Sequence, residues 1–142
     1  MQDFEFLEHT SDIYVRSHGK NLKQALVNCG KGLTAILVRN PDAVRKLKDR
    51  SVEIKAKDLE ELVYLWLEEL IFLFDSEAFL FRGFSGELKA ADSGYLMTGT
   101  VKGEKYDPSR HRPGVHVKGV TYHNLDVRTG RNETTITVLL DI

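Results

Sequence analysis

Two aspartates stand where predicted strands begin and end, and their carboxylates could together hold a cation. Asp12 opens one run of alternating apolar and polar residues, while Asp141 and the terminal carboxylate of Ile142 end another. If these strand ends are neighbours, up to three anionic groups converge, and their mutual repulsion calls for a cation. All-oxygen ligands suit Ca²⁺, or Mg²⁺ with more bound water. The residues alone leave a second interpretation open, in which the aspartates lie apart on the surface.

Histidines form a second set of candidate ligands. His111, His116 and His123 have spacings that match no standard zinc site, so they are interpreted as scattered loop and strand residues. His9 lies close to Asp12 in sequence and could orient a metal ligand through a hydrogen bond, as could its neighbour Glu8. The alternative for His9 is a local hydrogen bond to the adjoining polar residues.

The chain has a single cysteine and no phosphate-binding glycine loop. Cys29 lies on the apolar stripe of a predicted helix, where a free cysteine behaves as a small hydrophobic residue rather than a nucleophile. Gly30 and Gly32 lie inside the same helical pattern, and no strand leads into them. Nucleophilic catalysis and a nucleotide-binding loop are therefore both disfavoured.

The most basic part of the chain runs from Lys102 to Lys118. Glu104 and Asp107 dilute its charge, and two prolines interrupt the stretch Tyr106 to Gly114. We interpret Tyr106 to Gly114 as an exposed, solvated loop, with an anion-facing or RNA-facing surface as the alternative.

Two long helices are predicted to position these residues. Apolar residues recur at helical spacing from Leu22 to Leu37, after an Asn21 cap, and again from Leu59 to Phe74, after an Asp58 cap. Ala43 to Arg50 is interpreted as a charged connection with about one helical turn.

Strands are predicted in the remainder of the chain, joined by turns at Asp92 to Gly94 and Thr129 to Asn132. The predicted strands lie near Ile13 to Val15, then at Val52 to Ala56, Ala78 to Phe84, Gly86 to Ala90, Tyr95 to Val101, Val115 to Tyr122, Leu125 to Arg128 and Thr134 to Ile142. Two helices with such strands predict an α+β fold, in which the helices pack on largely antiparallel or mixed sheet. We expect a single domain spanning residues 1–142.

Chain length, net charge and cysteine content argue against several classes of protein. The chain has 142 residues and a net charge of −1, which argues against binding nucleic acid by bulk electrostatics. A lone cysteine, the absence of a signal peptide and the acids within the longest apolar stretch argue against secreted and membrane proteins. A cytoplasmic location is expected by elimination.

Four segments, taken in order, resemble one family. EHTSDI at Glu8 to Ile13 resembles the EHTADI signature of the archeases, and VKGVTYHNL at Val117 to Leu125 resembles their VKAVTYH motif. DLEELVYLWLEEL at Asp58 to Leu70 is similar to the family's long helix, and Asp141-Ile142 matches its Asp-Ile terminus. Ser11 and Gly119 stand where the family commonly has alanine, and neither replaces a candidate ligand.

The resemblance implies a function that composition does not indicate. Archeases assist the RtcB-type RNA ligase of tRNA splicing, promoting its guanylylation and multiple turnover. The family's calcium site would fall on Asp12, Asp141 and the main-chain oxygens of Ile142, and Lys118 matches a lysine needed for activity. The implied protein is an activator rather than an enzyme, which meets guanine nucleotide and tRNA halves through the ligase and involves no membrane.

Two other functions compete with this interpretation. The first is a holdase-like chaperone, which would suppress aggregation of unrelated proteins without nucleotide or metal. The second is a metal-dependent phosphoester hydrolase, for which Glu8 or His9 would be the candidate general base. No substrate-binding signature supports the hydrolase.

Overall fold

The computed structural model describes residues 3–8 and 11–142, apart from the side chain of Glu8. The predicted ligand neighbours Glu8, as a side chain, and His9 therefore lie outside the described residues. The described elements are strands β1 (Phe4–Glu8), β2 (Asp12–Gly19), β3 (Lys48–Ala56), β4 (Phe79–Ala91), β5 (Gly94–Lys105), β6 (Gly119–Thr129) and β7 (Thr134–Asp141), and helices α1 (Leu22–Leu37), α2 (Leu59–Glu77) and α3 (Pro108–His111).

Both long helices begin at the predicted caps. The side chain of Asn21 accepts a hydrogen bond from the Gln24 N–H, and Asp58 does the same for Glu61, each at 2.8 Å. These side chains satisfy N–H groups that the first turn of a helix leaves without partners. Among the described residues, no helix combines the length and apolarity needed to cross a membrane.

The strands form two antiparallel sheets. The first has the order β1-β2-β7-β6 and the second has the order β3-β5-β4. Within each sheet, every described pair of neighbouring strands is antiparallel. The α+β prediction is confirmed.

The helices join the two sheets through one hydrophobic core. Trp66 of α2 is fully buried, and its indole N–H donates to the Leu26 carbonyl of α1 at 2.7 Å. Its ring meets Phe81 of β4 edge-on, with ring centroids 5.4 Å apart. Thr34 of α1 donates to the Phe81 carbonyl at 2.7 Å, which ties the same helix to the second sheet. The core therefore fixes both sheets to α1.

In two places the structure has one long strand where the sequence predicts two. β4 runs through Gly86, because this glycine pairs with Gly99 of β5, where a side chain would collide with the opposite backbone. β6 runs through Asn124, whose positive φ of 54° accompanies a register shift rather than a chain break. β6 also begins at Gly119 and not at the predicted Val115. β3 begins at Lys48, inside the predicted connection, and the helical turn expected there lies earlier, as a 3₁₀ helix at Pro41–Ala43.

The prediction of an exposed loop from Tyr106 to Gly114 is wrong at its centre. Residues 108–111 form α3, and His111 is fully buried. The physical reason lies in Glu104 at the end of β5, a buried carboxylate that needs donors. Arg110 and His111 supply them, and this draws the segment inward.

Candidate functional site

Three strand ends of the first sheet meet at Asp141. Its Cα partner on one side is Asp12 of β2, and on the other side Gly119 of β6. Directly opposed residues of an antiparallel pair have Cβ atoms about 4.5–5.5 Å apart on the same face. The carboxylates of Asp12 and Asp141 therefore leave the sheet as close neighbours.

Hydrogen bonds of the main chain hold the flanking residues at the same place. The Lys118 N–H donates to the Asp141 carbonyl at 2.7 Å, and the Ile142 N–H donates to the Ser11 carbonyl at 3.4 Å. The side chain of Lys118 is exposed, whereas Asp141 and Ile142 are half-buried. The structure thus brings Asp12, Asp141, Ile142 and Lys118 together.

The two aspartates face away from the helix side of the sheet. Their chain neighbours Ile13 and Leu140 contribute to the core, and successive side chains of a strand point to opposite faces. A partly solvated face accommodates two adjacent carboxyl groups at a lower cost than the core would.

Glu68 is a further residue of this region, and sequence reasoning missed it as such. Its Oε1 accepts a hydrogen bond from the Val120 N–H at 3.0 Å, which links α2 to the start of β6. One turn earlier, Tyr64 stacks on Tyr122 with ring centroids 4.4 Å apart. The sequence did contain a signal for this contact. Tyr64 and Glu68 are four residues apart on a mainly apolar helix, and residues with that spacing lie on the same helix face.

The donor set fits a hard cation. The available ligand atoms are the carboxylate oxygens of Asp12 and Asp141 and the main-chain oxygens of Ile142, which suit Ca²⁺ or Mg²⁺. Within residues 3–8 and 11–142, no three His, Cys, Asp or Glu side chains are grouped closely enough to hold a metal. Binding would therefore depend on the main-chain oxygens and on water as well as on the two carboxylates.

The described candidate histidines lie elsewhere, as the sequence predicts. His111 contacts Glu104 at 3.1 Å, and His116 lies 3.4 Å from Asp75 of α2. His123 is exposed on β6. The structure does not bring these three side chains together.

Cys29 is a buried hydrophobic residue of α1, as predicted. Burial raises the pKa of its thiol to about 12, against a smaller opposing effect from the Ser17 hydroxyl. A thiol with that pKa supplies almost no thiolate at neutral pH. It is therefore unsuited to act as a nucleophile.

Glu104 forms the centre of a second charged cluster, which sequence reasoning did not find. Arg110 donates to its Oε2 at 2.8 Å, and the Arg45 N–H donates to the same oxygen at 2.6 Å. His111 accepts from the Asp107 N–H through Nδ1, so its Nε2 carries the proton donated to Glu104. Hydrogen bonds from Arg110, with smaller contributions from Arg45 and His111, hold the pKa of Glu104 far below its usual range.

Comparison with known proteins connects this arrangement to one family. The model of the Archease protein family matches residues 4–142. "Protein archease" of Sulfurisphaera tokodaii is 35% identical over 142 residues, covering 100% of both chains. "Protein archease" of Pyrococcus furiosus is 35% identical over 127 residues, covering 89% of each chain.

Solved structures agree with this assignment. The solution structure of protein 1598 of Methanobacterium thermoautotrophicum covers 100% of both chains, with a TM-score of 0.84 and 30% identity. A Thermotoga maritima protein described as an archease and possible chaperone shares the fold, with a TM-score of 0.60 and 17% identity over 96% of this chain and 94% of its own. By its sequence over nearly its whole length, this chain belongs to the archease family.

Proposed function

We propose that this protein is a metal-binding accessory factor that activates an RtcB-type RNA ligase in tRNA splicing, in the cytoplasm. It promotes guanylylation of the ligase and allows multiple turnover. One observation carries the proposal: the exposed Lys118 is anchored through its main chain to Asp141, which pairs with Asp12. Family membership and the match of these residues to the family's motifs support the same reading.

The metal part of the proposal assigns roles to named atoms. The carboxylates of Asp12 and Asp141 and the main-chain oxygens of Ile142 would hold Ca²⁺, or another hard divalent cation such as Mg²⁺. When bound, the ion supplies positive charge and offsets the repulsion between two cross-strand carboxylates. Glu8 and His9 remain candidates for orienting these ligands.

Lys118 is the residue that we assign to activation of the partner. Its ammonium group is a compact point charge on a flexible stem, suited to a phosphate or a carboxylate. The 2.7 Å hydrogen bond from its N–H to the Asp141 carbonyl fixes its backbone to the metal-binding strand end. The side chain, which is exposed, then presents its charge to the ligase or to the nucleotide that the ligase holds.

The test is RNA ligation by the matching RtcB-type ligase, in single-turnover and multiple-turnover conditions. A catalytic amount of this protein should convert one round of ligation into many rounds. Lys118→Ala should reduce that stimulation by about tenfold or more, because it removes a charge–phosphate or charge–carboxylate contact. Its calcium affinity should not change, since Lys118 supplies no ligand atom to the ion.

Lys105→Ala is the matched control, because Lys105 is also an exposed lysine but ends a strand of the other sheet. It should stimulate the ligase as the unmodified protein does. Full stimulation by Lys118→Ala would remove that residue from the mechanism. If even equimolar unmodified protein leaves turnover unchanged, the proposed function fails for this chain.

A holdase-like chaperone is the second candidate function. Phe6 and Leu7 of the edge strand β1 are 43% and 37% exposed, and unpaired edges with apolar residues bind other chains. The protein should then suppress aggregation of an unrelated unfolded enzyme with EDTA present. A Phe6→Lys, Leu7→Lys variant that protects as well would exclude this surface.

The stand-alone hydrolase is the weakest candidate. The one cysteine is buried with a raised pKa, and Glu104 is engaged by two arginines and a histidine. Neither group is available as a nucleophile or general base. Phosphoester turnover by the purified chain, abolished in Asp12→Asn, would be needed to revive it.

A further inference from the structure

A cleft with a volume of about 540 Å³ lies where the segment after α1 meets α3. It is lined by Arg39, Asn40, Ser109, Arg110 and Arg112. Main-chain hydrogen bonds join the two segments: the Arg39 N–H donates to the Arg112 carbonyl and the Asn40 N–H to the His111 carbonyl, each at 2.9 Å. The walls of this cleft, here called the arginine cleft, are therefore held by backbone rather than by flexible side chains.

The arginine cleft has an excess of positive charge. Arg39 and Arg112 are exposed, and neither guanidinium has an ion-pair or hydrogen-bond partner within the described part of the chain. Arg110 pairs with the buried Glu104, which Arg45 shares, and Asp107 lies 3.9 Å from the Arg110 Nε. Three of the five lining residues are arginines and none is acidic, and this excess of positive charge favours anions.

Arg112 has a backbone conformation that a side chain rarely adopts. Its φ is +63° and its ψ is +128°, which lies outside even the left-handed helical region. Its N–H donates to the Pro108 carbonyl at 3.2 Å, and its carbonyl accepts from Arg39, so neighbouring segments hold it there. Glycine, which has no Cβ, tolerates a positive φ with less strain than arginine does. Strained residues cluster at ligand-binding sites, and here the strained residue bears a guanidinium without a partner.

The cleft is at the same end of the first sheet as Asp12 and Lys118. The chain leaves it at Gly114, whose N–H donates to the Leu37 carbonyl at 2.9 Å, and reaches Lys118, bonded to Asp141 at 2.7 Å. α1 runs back along β2, since Gly19 lies against Ala25 and Gly32 lies against Val15, so the last turn of α1 is directed toward the start of β2. A second cleft at the other end of the sheet contains the carboxylates of Asp3 and Glu133 and is less suited to anions.

We propose that the arginine cleft binds a phosphate group, carried by a nucleotide or by an RNA strand. The planar guanidinium groups of Arg39 and Arg112 donate paired hydrogen bonds to phosphate oxygens, a geometry that lysine does not reproduce. Asn40 and Ser109 also line the cleft, where the Asn40 amide donates to the Arg110 carbonyl at 3.3 Å and the Ser109 hydroxyl donates to Asp107 at 2.8 Å, so the two guanidinium groups are the main donors to a bound phosphate. This site requires neither a bound metal ion nor the ligase.

The test uses the purified full chain and two probes at low salt. One probe is GTP, and the other is a short single-stranded RNA carrying a 5′-phosphate, each titrated by calorimetry or fluorescence anisotropy. Arg39→Gln and Arg112→Gly should each weaken binding about tenfold, since each removes a charge-assisted contact. Arg112→Gly should keep a Tm close to that of the unmodified protein, because relief of backbone strain offsets the greater freedom of glycine in the unfolded chain. An unchanged Tm would show that the lost binding does not reflect lost folding.

Arg131→Gln is the matched control: it makes the same charge change at an exposed arginine in the turn between β6 and β7. It should bind both probes like the unmodified protein. Binding of GTP alone identifies a nucleotide site, and binding of RNA alone identifies an RNA site; binding of both identifies recognition of the phosphate itself. The proposal is overturned if neither probe binds, if either cleft variant binds normally, or if Arg131→Gln loses affinity equally.

Discussion

Carboxylates have two contrasting environments in this protein. Glu104 is 4% exposed and is surrounded by donors from Arg45, Arg110 and His111. Asp12 and Asp141 are half-buried and face each other across two strands. Hydrogen bonds stabilise the negative charge of Glu104, whereas a cation bound between Asp12 and Asp141 would reduce the repulsion between their carboxylates.

Glu104→Gln should lower the free energy of unfolding by about 3 kcal/mol at neutral pH, because it leaves buried donors without a charged acceptor. The folded-state pKa of Glu104 lies below its unfolded value of about 4.3, so its stabilising contribution is complete above that pH. It is lost as the pH falls toward the folded value. Urea unfolding from pH 7 down to pH 3 should therefore show the gap between the two proteins narrowing below about pH 4.

Glu77→Gln provides the comparison, since Glu77 forms an ion pair with Arg50 at 2.7 Å but is 40% exposed. Its effect should stay below about 1 kcal/mol. Equal effects of the two substitutions would show that the Glu104 cluster does not stabilise the fold.

At the scale of elements, α2 supports β6, the strand that begins directly after Lys118. Tyr64 and Glu68, one turn apart, contact Tyr122 and the Val120 N–H of β6. β6 is an edge strand of its sheet, so Glu68 satisfies a main-chain donor that has no strand partner on that side. The position of Lys118 thus depends on α2, which is distant from it in the sequence.

Gly119→Ala should be tolerated and should raise the free energy of unfolding by about 0.4–1 kcal/mol. A methyl group there would lie 3.6 Å from Glu68 Oε1, which is an ordinary contact, and alanine reduces the entropy of the unfolded chain. Gly103→Ala is the control, because its methyl group would overlap the Leu80 carbonyl and should destabilise the protein. Thermal unfolding measures both, and a lower Tm for Gly119→Ala would mean that Glu68 must move.

At the scale of the whole molecule, the candidate metal site joins segments from the two ends of the described chain. β2 and β7 are adjacent in the sheet, with Asp12 opposite Asp141. A cation bound there would link the folded ends and would find no such site in the unfolded chain. Metal binding at this site would therefore increase global stability.

Calcium should raise the Tm of the protein, with a stabilisation of about 2.7 kcal/mol when its concentration is 100 times the Kd. Asp141→Asn should abolish the increase, and in EDTA it should not lower the Tm, because it removes repulsion between paired carboxylates. Differential scanning fluorimetry with calcium titration tests this. Asp92→Asn, in the turn between β4 and β5, should respond like the unmodified protein. An undiminished calcium shift in Asp141→Asn would contradict the site.

The sequence by itself determined the features that depend on local pattern. The caps at Asn21 and Asp58, the two helices and the burial of Cys29 follow from spacing and residue type, and the structure confirms them. The α+β class follows in the same way. The predicted break in β4 near Gly86 was wrong, because pairing with Gly99 of β5 continues the strand through this glycine.

Only the tertiary structure decided which distant residues meet. The register between β2 and β7 places Asp12 opposite Asp141, and packing around Glu104 brings α3 against the segment that contains Arg39. No local propensity encodes such pairings, because strand order and register depend on how the helices and sheets bury their apolar faces together. Chemistry-bearing residue types can thus be read from the chain, whereas their grouping into sites is a property of the packed core.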